Sequence, residues 1–144
     1  MIGMKIEGLE ALQKAMVELP KELHKGPLRS AVSAGAGVVQ KQAKANAPSD
    51  TGTLKKSIYR TRSKAGSNST QETAIVGVRF GRKYRKRGQD AFHFLFLEFG
   101  TSKMSARPFL RPAFEGTKQK QIDIMKSRLA KAIEKAAAKL RSRK

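Results

Sequence analysis

The sequence predicts an α+β domain with a helical N-terminal third, a small antiparallel β-sheet and a long C-terminal helix. Apolar residues recur at spacings of three and four before residue 48 and again after residue 120. Between them lie two runs rich in β-branched and aromatic residues, separated by a polar stretch. Helices, then strands, then a helix is the order of an α+β chain. With 144 residues the chain has the length of one ordinary domain, 1–144, comprising a helical region (1–48), sheet and loops (55–110) and a terminal helix (111–141).

Leu9, Leu12, Met16, Leu19 and Leu23 would line one helical face, with a break near Pro20. Gly26 and Pro27 mark a restart, since proline suits a first helical turn. From there Leu28, Ala31, Val32, Gly35, Val38, Val39, Gln42 and Ala43 keep helical spacing until Pro48. The small run Ala34 to Gly37 weakens helix propensity but lets another backbone approach closely. Residues 47–54, Ala-Pro-Ser-Asp-Thr-Gly-Thr-Leu, form a turn cluster with capping residues and one flexible glycine.

Residues 58–62 read as a strand, and 73–80 as a second one pairing with it in a hairpin across the polar, mobile loop 65–70. Gly81 opens the basic loop Arg82, Lys83, Tyr84, Arg85, Lys86, Arg87. Residues 92–99 hold four of the seven phenylalanines, and periodicity leaves open whether they form a buried strand or a buried helical turn. Pro108 and Pro112 bracket Phe109 to Arg111. In the terminal helix Ile122, Met125, Leu129, Ile133, Ala136 and Leu140 share one face, opposite Arg128, Lys131, Lys135 and Lys139.

The net charge is +20, from 31 basic and 11 acidic residues, and it is uneven. Residues 55–87 carry +10 and 118–144 carry +8, whereas 1–54 carry +2 and 88–117 are neutral. Such an imbalance concerns partners and solubility rather than fold. With no cysteine, a disulfide scaffold, a thiolate metal site and a cysteine nucleophile are excluded. No apolar run approaches the roughly 20 residues of a membrane span, and the N-terminus lacks a secretory apolar core. The expectation is a basic protein made for the cytoplasm, without membrane contact.

Catalytic chemistry has little support. His24 and His93 stand apart from any ligand cluster, so no metal or cofactor is expected. Residues 77–81 lack the ending of a phosphate-cradling loop. Glu98, among phenylalanines, needs a donor such as a backbone amide or an arginine. It reads as an anchor for the following turn, or as a general acid of raised pKa in a hydrolase that would also use His93. The basic loop has three readings: a phosphate-tracking surface with Tyr84 stacking on a base, a contact for an acidic protein, or a solvated tip.

Four stretches occur in order: Leu9 to Leu12, Ala47 to Ile58 (APSDTGTLKKSI), Leu97 to Met104 (LEFGTSKM) and Ala106 to Ala113 (ARPFLRPA). Together, over roughly 8–115, the chain resembles the small tail-component or tail-completion proteins of lambdoid long-tailed phages, which act at the head–tail neck. The basic loop and the cationic tail stand outside that pattern. As scaffold parts, Asp50 or Thr51 would cap a short helical turn, Gly52 would allow a tight path into Leu54, and Gly100 and Thr101 would turn the chain after the Phe-rich segment. Arg107 would pair with Glu98, and Pro108 would stiffen the entry to the last helix.

The resemblance implies a non-enzymatic virion assembly protein that waits in the host cytoplasm and completes or joins the neck. Its partners would be itself in a ring, the tail tube or its terminator protein, and the head connector or stopper protein. Arg82, Lys83, Arg85, Lys86 and Arg87 would face acidic neck or tail proteins, with a lesser share of the charge touching DNA non-specifically. The alternative is a sequence-independent nucleic-acid-binding protein that uses 82–87 and the basic C-terminal helix.

Overall fold

The computed structural model describes residues 14, 17–18, 25–48, 52–68, 71–88 and 90–143. Its elements are α1 (Lys25–Asn46), α2 (Thr53–Ser57), β1 (Ile58–Arg62), β2 (Ala74–Val78), α3 (Arg82–Arg85), α4 (Phe94–Phe99), α5 (Leu110–Gly116) and α6 (Lys118–Arg141). The architecture is α+β, as expected. The stripe Leu9, Leu12, Met16, Leu19 and Leu23 and the break at Pro20 lie outside the described residues. Nearby, the Glu18 N–H donates to the Lys14 carbonyl at 3.1 Å, a helical bond.

Pro27 falls in the first turn of α1, where its missing N–H costs nothing. Buried residues recur every fourth position, at 27, 31, 35, 39, 43 and 47. The helix ends at Asn46, ahead of Pro48.

The chain divides into two compact units, each drawn from separated segments. One comprises the described parts of 1–35, 62–74 and 119–144. Here Ala31 packs with Leu129 and Ile133, flanked by Met125, Ala136, Ala137 and Leu140. Gly35 permits this approach: a Cβ there would stand 2.9 Å from both Cγ and Sδ of Met125. Arg128, Lys131, Lys135 and Lys139 are all exposed. The loop after β1, expected to be mobile, is tied by hydrogen bonds in its described part. Thr73 Oγ1 donates to the Gly66 carbonyl at 2.7 Å, Ser67 Oγ accepts the Thr73 N–H at 3.0 Å, and Asn68 Oδ1 accepts the Gln71 N–H at 2.8 Å. An Arg62–Glu72 ion pair closes the same segment.

The second unit comprises 36–61 and 75–118. Val39 and Ala43 of α1, with Ala47 just beyond it, pack with Leu54, Ile58, Val78, Ala91, Phe109 and Ala113, and Phe109 is fully buried. β1 and β2 form a two-stranded sheet. The bonds Arg79 N–H to Ser57 O (2.9 Å) and Ser63 N–H to Thr73 O (2.8 Å) fix a register that sets Ile58 opposite Val78 and Tyr59 opposite Gly77. Gly77 leaves room for the Tyr59 ring, 3.3 Å from where a Cβ would stand. The Arg79 guanidinium lies 5.5 Å from that ring's centre.

Three expectations change. The Phe-rich segment is the helix α4, and it is only partly buried. The basic stretch begins as the short helix α3 rather than as a loop. The expected terminal helix 111–141 is two helices, α5 and α6, parted at Thr117. Gly116 is a poor helix former, and the Thr117 hydroxyl donates to the Ala113 carbonyl, competing with the backbone ladder.

Candidate functional site

Two constellations gather the residues singled out from the sequence. The first is the corner that links α4 to α5. Gly100 ends α4 at φ 73° and ψ 176°, a conformation open in practice only to glycine. The chain then folds back tightly. The Thr101 hydroxyl accepts the N–H groups of Met104 (3.0 Å) and Lys103 (3.3 Å), and the Arg107 N–H donates to the Leu97 carbonyl at 2.7 Å. Pro108 leads to Phe109, which caps α5.

Glu98 locks this corner. Its Oε2 accepts the N–H groups of Phe109 (2.9 Å) and Leu110 (3.1 Å), and its Oε1 accepts that of Arg111 (3.0 Å). A helix start leaves four N–H groups without intrahelical partners. Here Glu98 takes three, and the fourth position is Pro112, which has none. A carboxylate at a helix N-terminus also meets the favourable end of the peptide dipoles. The Arg107 side chain, the expected partner of Glu98, is exposed and makes no ion pair with it. Sequence proximity suggested the arginine, whereas the fold brings the amides of residues 109–111 to the carboxylate.

Gly52 and Leu54 lie elsewhere in the same unit. Gly52 adopts φ 69° and is itself the N-cap of α2, and Leu54 is buried. Asp50 and Thr51, the expected capping residues, fall outside the described residues.

The second constellation is the basic segment. Arg82, Lys83, Arg85, Lys86 and Arg87 are all exposed, on α3 and the turn after it. Asp90, which the sequence reading passed over, organises them. Its Oδ1 accepts the Gly81 N–H at 2.8 Å, and its Oδ2 lies 3.4 Å from Nε of Arg85. The Gly81 N–H holds the Asp90 carboxyl below its ordinary value; burial offsets this in part, and Arg85 reinforces it. In the sequence Asp90 is a single carboxylate three residues beyond Arg87, with no spacing that marks it. Arg85 is therefore engaged within the chain, while no ion pair takes up Arg82, Lys83, Lys86 or Arg87 among the described residues. Tyr84 is half-buried, with the Lys83 ammonium 5.9 Å from its ring centre, which reduces the open face that base stacking needs.

His93 precedes α4 and meets Phe92 edge-on, with ring centres 5.8 Å apart. Glu98, its expected companion in a hydrolytic site, is already committed to three amides. Among the described residues no cluster of His, Asp or Glu has the grouping of a metal site, and no helix is long and apolar enough to cross a membrane.

No curated protein and no solved structure matches the chain. A family model, that of the HK97-gp10-like bacteriophage tail component, matches residues 10–100. The matched region takes in the turn cluster around Gly52, both strands, the basic segment and α4 through Gly100. It stops short of Ala106 to Ala113, so the resemblance read over 8–115 extends beyond the matched region at both ends. With well over half its length matched, the chain belongs to the HK97-gp10-like family of bacteriophage tail components.

Proposed function

We propose that the protein completes the neck at the top of the tail of a tailed phage or prophage and joins it to the head, as a structural virion component without catalysis. The observation that carries this reading is the family match over residues 10–100. The corner built on Glu98 supports a structural reading of the only carboxylate that invited a catalytic one. Subunits would close head to tail into a ring, as a heterologous contact does where its rotation closes. One side of the ring would meet the tail tube or its terminator protein, the other the head connector or stopper protein.

The basic segment is the proposed contact with those neighbours. Four exposed cations on one short helix and turn suit an acidic protein surface, where they would steer docking and make it salt-sensitive. If they lined the DNA path instead, each subunit would hold phosphates and slow DNA exit. The second reading, sequence-independent nucleic-acid binding, rests on the charge of +20.

Replacing Arg82, Lys83, Lys86 and Arg87 together with glutamine separates the two. Arg85 is left in place because it holds Asp90. In an in vitro assay of heads joining tails, the variant should lose joining far more than it loses DNA affinity. The reverse ranking would favour the nucleic-acid reading.

A further inference from the structure

A helix on a protein surface ordinarily turns its apolar stripe inward. In the segment containing α4, the stripe points both ways. Phe94 and Leu97 pack against the core of their unit, and the Phe94 ring lies 5.4 Å from that of Phe80. Phe92, Leu95, Phe96 and Phe99 follow the helical spacing i, i+3, i+4, i+7, and they are 54, 40, 47 and 74% exposed. Helical bonds from Leu97 to His93 and from Gly100 to Phe96 hold this spacing from His93 onward, and Phe92 stands in the turn just before it. Three phenylalanines and a leucine presented in register are the anchors of a protein contact rather than scattered surface residues.

Charge selects the occupant. Lys103, Arg107 and Arg111 are exposed around the C-terminal end of the stripe, where Arg107 is bonded to Leu97. The nearby Glu98 is spent on three backbone amides. The C-terminal end of the stripe is therefore cationic. Pairing the stripe with itself across a two-fold axis would oppose these cations to their own copies. Yet one segment of the chain combines an apolar stripe with net negative charge. Residues 1–24 hold four glutamates (Glu7, Glu10, Glu18, Glu22) against three lysines, and carry Leu9, Leu12, Met16, Leu19 and Leu23 at helical spacing.

We infer that the Phe92–Phe99 stripe of one subunit receives residues 7–23 of a second copy of this chain. Rim carboxylates would meet Lys103, Arg107 and Arg111. This names the subunit contact of the proposed ring and rests on that reading. The two surfaces differ, so the contact passed from each subunit to the next is heterologous, and where its rotation closes the ring has no unpaired end. It leaves the cations of residues 82–87 for acidic neighbours.

The test incorporates a photoreactive benzophenone amino acid at position 99 of the full chain. Labelled protein (15N) and unlabelled protein are mixed, illuminated, and mapped by mass spectrometry. Crosslinks from position 99 of one isotopic form to residues 7–23 of the other are expected. Crosslinks confined to one isotopic form, crosslinks to other segments, or none at all would overturn the inference. A charge exchange gives a readout independent of folding. Glu10→Lys with Glu18→Lys and Glu22→Lys in one protein should weaken self-association roughly tenfold or more. Lys103→Glu with Arg107→Glu and Arg111→Glu in a second should do the same, and mixing the two should restore association. Failure of the mixture to recover would also overturn the contact. If heads and tails still need the protein for joining while these crosslinks are absent, only this contact falls and the neck reading stands.

Discussion

Alanine at Gly100 and at Gly81 separates backbone strain from steric conflict within one protein. Both glycines occupy nearly the same backbone region, φ 73° and ψ 176° for Gly100 and φ 102° and ψ 177° for Gly81. A side chain in that region costs about 1–3 kcal/mol. Their surroundings differ. A Cβ on Gly81 would meet nothing within 4 Å, whereas one on Gly100 would stand 2.8 Å from Ala106 N, 3.0 Å from Met104 O and 3.2 Å from Ala106 Cα. Those are backbone atoms of the folded-back chain and cannot rotate away. Forcing them apart adds about 1–3 kcal/mol, as overpacking does elsewhere. Gly81→Ala should therefore lose about 1–3 kcal/mol and Gly100→Ala about 2–6 kcal/mol. Gly100→Val, with a β-branched side chain, should disorder the corner. Urea denaturation of the three proteins measures the losses, and each kcal/mol should lower Tm by about 2–4 °C in a chain of this size. Equal losses at the two glycines, or an unchanged Gly100→Ala protein, would refute the steric account of this corner.

Other outcomes follow from the same geometry. Glu98→Gln keeps one acceptor oxygen for three donors and should cost about 2–3 kcal/mol, with faster hydrogen exchange at Phe109, Leu110 and Arg111. Unaltered exchange at those amides would show that Glu98 does not hold the corner. Asp90 has its folded pKa lowered, mainly by the Gly81 N–H, so its contribution is present above the unfolded value near 3.8 and fades as pH falls through the lower folded value. The stability gap between the parent and Asp90→Asn should thus be constant near neutral pH and shrink below about pH 4. A gap independent of pH down to complete acid unfolding would contradict that assignment. Gly35→Ala should destabilise the parent, because the added Cβ meets Met125, yet stabilise a Met125→Ala background by up to about 1 kcal/mol through better helix propensity. The same sign in both backgrounds would place the constraint elsewhere.

Local pattern made part of this architecture legible. The strand at 58–62 coincides with β1, and the face from Met125 to Leu140 packs as its spacing requires. In both cases each residue that decides the element lies within four positions of the next. Residues 92–99 could not be resolved the same way. Apolar residues occur on both sides of α4, some packed inward and some exposed, which erases the periodic contrast on which a helix assignment depends. At the corner, the sequence indicated that Glu98 needed a donor and that Gly100 marked a turn. The choice between Arg107 and three backbone amides is tertiary, because it depends on how residues 101–108 fold back. Asp90 went unnoticed since a single carboxylate carries no spacing signal. Its importance comes from the Gly81 N–H, nine residues away.

The neck role itself is tested most directly by electron microscopy of lysates from the source phage or prophage with this gene deleted. DNA-filled heads beside separate tails, which join when the purified protein is added, are the predicted result. Normal joined virions from the deletion would contradict the neck role and leave nucleic-acid binding as the account of the charge.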